Sequence, residues 1–382
     1  MEDVFGRRRA GVLLHPTSLP SGELGEDAFL FSDFLERSGA SVWQTLPLGP
    51  PQNGGSPYQC LSVHAGNPAL ISLEALRSAG WLEASPEGER SGLLALAREG
   101  FERRASPQER EAFRSFEESH AYWLEDYALF VALKRHHGGK PWAEWPQPLR
   151  DRHPEALDEA RRTFAGDIAQ VKFEQFAFFS QWQGVKGDAN GRGILMFGDM
   201  PIFVAWDSAD VWVHRDYFQL DERGYPTVVA GVPPDYFSST GQRWGNPLYD
   251  WERMEADGFS WWIERVRTQL ELFDLIRVDH FRGFEAYWAI PASESTAVHG
   301  QWVKAPGDAL FKALLAHFGR LPLVAEDLGI ITPEVEALRD RYAIPGMKVL
   351  QFAFEGGADN PYLPHNHIIR CVVYTGTHDN DT

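Results

Sequence analysis

Cysteine is scarce: only Cys60 and Cys371 occur among 382 residues. That excludes a disulfide framework and offers no metal-ligand spacing, so both are read as reduced and buried, and neither a metal nor a cofactor is expected. Long hydrophobic runs are missing too. Nothing approaches eighteen uninterrupted apolar residues, so no membrane-spanning helix is expected. Near the start, the four apolar residues that follow Arg7, Arg8 and Arg9 stop at His15, too soon for a signal-peptide core. Basic residues are outnumbered, with 36 Lys and Arg against 54 Asp and Glu and a formal net charge of −18. Such a surface repels phosphate backbones and anionic membranes. Internal repeats and low-complexity tracts are absent. What survives these exclusions is a cytoplasmic enzyme or binding protein without nucleic-acid or membrane partners.

With 43% hydrophobic and 24% charged residues the chain is of ordinary globular composition and can bury a substantial core, and its length permits one elaborated domain. Aromatic residues stand out: 14 Trp, 25 Phe and 11 Tyr. Flat rings bordered by polar groups stack on sugars or bases, and the net charge favours sugars. Seven short runs rich in β-branched or aromatic residues read as strands buried on both faces: Gly11–Pro16, Ser41–Pro47, Ile194–Pro201, Phe273–Phe281, Leu323–Leu328, Lys348–Phe354 and Cys371–His378. Segments of helical period lie between them. Trp123, Tyr127, Phe130, Val131 and Lys134 share one face, as do Phe173, Phe176, Phe179 and Trp182, and Trp262, Val266, Leu270 and Phe273. This alternation predicts an α/β fold of right-handed βαβ units, a barrel or a doubly wound sheet. Two stretches interrupt it. Residues 81–163 read as a charged helical insertion, and residues 203–251, dense in Pro, Gly, Tyr and Trp, as an irregular one of functional importance.

Acidic residues gather at three strand ends. In FDLIRVDHFRGF, Arg277 and Asp279 are two residues apart and face the same side, while His280 faces the other. An aspartate beside a permanent cation is expected to stay ionised, as a glycosyl nucleophile must; a strand-orienting ion pair would look the same. LPLVAEDLG ends in Glu326 and Asp327, neighbours that raise one another's proton affinity and so suit a proton donor, or that cap a helix. CVVYTGTHDNDT ends in His378, Asp379 and Asp381, without the glycine turn and distal glutamate of a calcium loop. In a barrel these strand ends meet on one face. Two carboxylates about 5 Å apart there form a retaining glycoside-cleaving pair, and the third acid is left to hold the sugar as it distorts.

The segments GVLLHPTSLPS, SPYQCLSVHAGNP, GDMPIFVAWDSADVW, GVPPDYFSSTGQRWGNPLYDW, IRVDHFRGF, VAEDLG and TGTHDND, in this order and across nearly the whole length, resemble the 4-α-glucanotransferases (amylomaltases, disproportionating enzymes) of glycoside hydrolase family 77. The resemblance implies a (β/α)8 TIM-type barrel with helical and irregular insertions. It also implies transfer of α-1,4-glucan segments to the 4-hydroxyl of another glucan or of glucose by double displacement. Asp279 is then the nucleophile, Glu326 the acid/base and Asp379 the transition-state stabiliser. Tyr58, Asp199, Arg277 and His378 bind the donor sugar. Ser56, Gln242 and His280 support it, and Trp244, Tyr236 and Phe237 offer aromatic surface from an overhanging loop. Such a lid excludes water and holds a second sugar, which favours transfer over hydrolysis. An α-amylase-type hydrolase and a non-catalytic glucan-binding protein are the alternatives. The family continues beyond its HDND segment, so the expectation is a single catalytic barrel over residues 1–382 that breaks off before an eighth strand, a fragment with an open edge between the seventh and first strands.

Overall fold

The computed structural model describes residues 4–52, 54–83, 88–235, 238–354 and 356–380. In chain order its strands are β1 (Gly11–Leu13), β2 (Val42–Gln44), β3 (Leu195–Pro201), β4 (Val228–Val232), β5 (Gln242–Pro247), β6 (Leu275–Asp279), β7 (Ala286–Pro291), β8 (Gln301–Lys304), β9 (Leu323–Ala325), β10 (Gly346–Val349) and β11 (Cys371–Tyr374). Strands β1, β2, β3, β6 and β9 lie side by side in that order, and every pairing is parallel. β10 and β11 form a second parallel pair, tied to β9 where the Ala325 N–H donates to Pro345 O at 2.8 Å. Among the described residues β1 and β11 each have a ladder partner on one side only.

The period of two along these strands decides the shape. Phe197, Leu275 and Val324 are buried together, with Val42, Leu195 and Val372 packed against them. Residues of β2, β3, β6, β9 and β11 thus share one interior, so the parallel sheet curls round on itself. The next inward positions are polar: Gln44, Asp199, Arg277 and Tyr374. All lie toward the carboxyl ends, and the Tyr374 hydroxyl donates to Gln44 Oε1 at 2.8 Å.

Helices cover the outside. The long helix Ala165–Gly191 buries Phe173, Phe176, Phe179 and Trp182, the face its spacing predicts, and the Trp182 indole N–H reaches Leu272 O at 2.8 Å on the helix Ser260–Leu272. The stretch from 90 to 163 holds the helices Arg90–Arg104, Pro107–Ser119, Ala121–His136, Gln147–Arg150 and Pro154–Thr163. Pro107–Ser119 starts sharply because Ser106 and Glu109 form a reciprocal capping box and Pro107 fills the first turn.

Four expectations change. The sixth parallel strand is Gly346–Val349, and Leu350–Phe354 is a 3-10 turn. Buried Asp327, paired with Arg339, accepts the Met347 N–H at 2.8 Å and pins this strand two residues early. Gly346 is obligatory there, since a Cβ would stand 2.3 Å from the Asp327 carboxylate. The stretch 203–251 is not irregular throughout. It supplies the locally paired β4 and β5 to a four-stranded antiparallel sheet of order β5-β4-β7-β8, whose other strands lie beyond Asp279, so no local pattern reveals the β4–β7 pairing. Asp327, sequence neighbour of Glu326, is taken up by this packing. Finally, both cysteines are unpaired but only half-buried.

Candidate active site

Asp279 is the last residue of β6, and Arg277 precedes it by one strand period. Arg277 is 5% exposed, and its guanidinium forks between two carboxylates, with Nη1 2.6 Å from Asp199 Oδ2 and Nη2 2.9 Å from Asp279 Oδ1. Asp199, 1% exposed on β3, also accepts the Tyr58 hydroxyl at 2.7 Å. The Tyr58 hydroxyl lies 2.9 Å from His378 Nε2, and the two rings stack at 5.6 Å between centroids. His378 Nε2 is in turn 3.3 Å from Asp379 Oδ1. An unbroken series of contacts therefore runs from Asp279 through Arg277, Asp199, Tyr58 and His378 to Asp379, across β3, β6 and the chain beyond β11.

Glu326 follows β9 directly. Its Oε2 accepts the His280 N–H at 2.8 Å and its Oε1 the Leu328 N–H at 2.9 Å, which places its carboxylate one residue from Asp279. The strand period predicts that His280 turns away. It does not continue the strand: its φ is 54°, and this left-handed turn aims its N–H at Glu326 and its ring at Trp244, edge to face at 4.9 Å. Trp244 on β5 is steadied by its indole N–H donating to Gln242 Oε1 at 3.1 Å. Ser56 is exposed, and its hydroxyl accepts the Tyr58 N–H at 3.3 Å, so its contribution runs through that loop. Tyr236 and Phe237 lie outside the described residues.

The electrostatics differ from the simple expectation that Arg277 keeps Asp279 ionised. Burial pushes the Asp279 carboxyl well up, Arg277 opposes this, and the charges of Asp199, Glu326 and Asp379 add to the rise. Burial also raises Glu326, against Arg277 and the two N–H donors and with Asp327. A crowded set of acids around a partly enclosed site retains a proton that an isolated aspartate loses. Arg277 stays charged because its carboxylate neighbours outweigh its own burial. His280 is held neutral, its pKa lowered to about 4 by burial and by Arg282. Sequence reasoning passed over Tyr374 and Gln44, which form the polar floor beneath Arg277; their inward alternation with Val372 and Val42 was the available signal.

Two neighbouring carboxyls, both raised by burial and sharing protons, at the mouth of a curled parallel sheet are equipment for acid/base and nucleophilic chemistry on a glycosidic bond. The sequence profile of the family described as 4-alpha-glucanotransferase, glycoside hydrolase family 77, matches residues 13–382. The chain belongs to the 4-α-glucanotransferase family. The 4-alpha-glucanotransferase of Thermus thermophilus is 57% identical over 98% of this chain and 79% of its own length. That of a Synechocystis strain is 49% identical over 99% and 80%. An amylomaltase from Streptococcus agalactiae, solved in complex with acarbose, superposes with a TM-score of 0.92 at 36% identity, over 98% of this chain and 80% of that one. As a glucanotransferase of this family the chain has a TIM-type barrel fold and is an enzyme that transfers glucan segments. Among the described residues no helix is long and apolar enough to cross a membrane.

Proposed function

We propose that this glucanotransferase cleaves an α-1,4-glucan at the mouth of its barrel with Asp279 as nucleophile and Glu326 as acid and base, and passes the glucosyl group to the 4-hydroxyl of a second glucan or of glucose. The observation that carries the reading is Arg277, which touches Asp279 while Glu326 is bonded to the very next residue. Both carboxyls are raised by burial and share protons; the reactive arrangement is the one with the proton on Glu326 and Asp279 ionised, to which the direct guanidinium contact at Asp279 contributes. Glu326 delivers its proton to the departing glycosidic oxygen as the Asp279 carboxylate bonds to the anomeric carbon. The resulting carboxylate of Glu326 then takes the proton of the incoming hydroxyl as that oxygen displaces Asp279, so configuration is retained.

Asp379, beside His378, stabilises the positive charge that develops on the sugar. Tyr58, Asp199, Arg277 and His378 form the donor pocket, with Ser56 shaping its loop. Trp244, set by Gln242 and His280, carries the neighbouring glucose on its face, and Tyr236 and Phe237, which lie outside the described residues, are assigned to glucan binding with it. Residues 1–382 act as one catalytic unit, with the helical stretch 81–163 and the covering stretch 203–251 as insertions. The unpaired thiols fit a reducing compartment, the cytoplasm.

Maltotriose tests the reaction. Transfer gives glucose together with a ladder of glucans longer than the donor. Release of reducing ends at every cleavage, with no longer product, would overturn transfer in favour of hydrolysis; no turnover would favour a glucan-binding protein.

A further inference from the structure

Beyond the carboxylate cluster, one aromatic residue of the rim has no part in the chemistry above. Trp302 lies on β8, which pairs only with β7 among the described residues, and it is 40% exposed. It is held as few exposed side chains are. The Arg282 guanidinium sits 3.9 Å from its ring centroid, and Trp288, its direct cross-strand partner, packs edge to face at 5.2 Å. Trp288 is itself fixed by its indole N–H donating to Ala297 O at 2.9 Å.

Arg282 links this ring to the site. It is 9% exposed, follows Asp279 by three residues, and donates to the carbonyl of Ile330, four residues beyond Glu326. The loops that carry both acids therefore converge on the cation under Trp302. The same short turn holds His280 against Trp244. His280 and Arg282 are two residues apart, so their Cα atoms lie within about 7 Å, with one tryptophan against each. The Ile330 side chain, next to the carbonyl that Arg282 reaches, is 58% exposed.

We infer that Trp302 is a stacking platform for a distal glucose unit of a long α-1,4-glucan, outside the reacting units and on the Glu326 side of the mouth. The occupant follows from the chemistry. An exposed indole whose orientation is fixed by a guanidinium over its ring and by a cross-strand tryptophan offers a preset flat surface to a pyranose ring, whose C–H faces are apolar. Spending an immobilised tryptophan on the rim of a glucan site is economical when the substrate is a polymer, because units remote from the scissile bond contribute binding that short donors lack. The inference rests on the transferase reading.

The experiment compares wild type, Trp302→Ala and Trp302→Phe with maltotriose and with amylose as donors, alongside thermal unfolding. The expected result is a KM for amylose raised about fivefold in Trp302→Ala, an unchanged KM and kcat for maltotriose, and recovery of most of the loss in Trp302→Phe, which keeps a flat ring. An unchanged amylose KM overturns the proposal. So does an equal loss on both donors accompanied by a lower unfolding temperature, which marks Trp302 as structural support for Arg282. A wild-type enzyme that forms no ladder from maltotriose overturns the underlying transferase reading, whereas a ladder combined with either of the other outcomes overturns the platform alone.

Discussion

Arg277 makes opposing demands compatible. Asp199, fully buried, and Asp279, partly exposed at the strand end, approach the same guanidinium, and two such carboxylates repel each other unless a cation lies between them. The fork at 2.6 and 2.9 Å supplies it, and because both contacts come from one planar group, lysine is not equivalent. Burial already drives the Asp279 carboxyl upward and Arg277 restrains the rise, which fixes the sign of a test. In Arg277→Gln the restraint is gone, so Asp279 keeps its proton to a higher pH. The acid limb of kcat/KM against pH moves up by about one to two pH units, and activity below the limb falls about tenfold for each unit moved. A limb that stays in place would show that Asp279 is not the group whose ionisation starts the reaction.

The loop between β2 and the first insertion is attached to the barrel wall by polar groups rather than by a ladder. His64 Nδ1 lies 2.8 Å from Thr268 Oγ1 on the helix Ser260–Leu272, and His64 Nε2 is 4.0 Å from Asp210 Oδ1. Asp210 accepts the Val63 N–H at 3.0 Å. Burial lowers the His64 pKa to about 3 and raises that of Asp210 to about 6. Near pH 5 the folded pair therefore holds one proton, on Asp210. The unfolded pair also holds one, on the histidine, so this pair gives no slope of stability with pH there. Asp210→Asn removes the folded-state proton and keeps the unfolded one. Unfolding by urea at a series of pH values then shows the variant losing about 1 kcal/mol relative to wild type for each unit of acidification between about pH 6 and pH 4. A constant difference over that interval contradicts the assignment.

Much of the molecule is legible in its sequence, and the illegible parts have a common cause. The parallel strands announce themselves because each is a short apolar run bounded by turn residues, and Arg277 and Asp279 share a side because a strand repeats every two residues. The buried faces at Trp123 to Val131 and Phe173 to Trp182 follow from helical spacing and are buried as expected. The β5-β4-β7-β8 sheet was hidden because the register that joins its two sequence-local pairs, β4 with β7, links remote segments and is set by packing, with Gly231 opposite Trp288. His280 was misjudged because the strand period stops at Asp279, and a positive φ in a residue other than glycine leaves no trace in composition. The acids themselves were found by counting strand ends, yet their protonation depends on burial, which no local pattern carries. The account stands on Asp279 forming the covalent bond, and that can be seen directly. In Glu326→Gln, an α-maltotriosyl fluoride donor needs no proton for its departure, while the base that releases the sugar is missing. Intact mass followed by peptide mapping should show one glucosyl chain accumulating on the peptide that contains Asp279. No adduct, or an adduct on a peptide carrying Asp199 or Asp379 instead, would contradict the account.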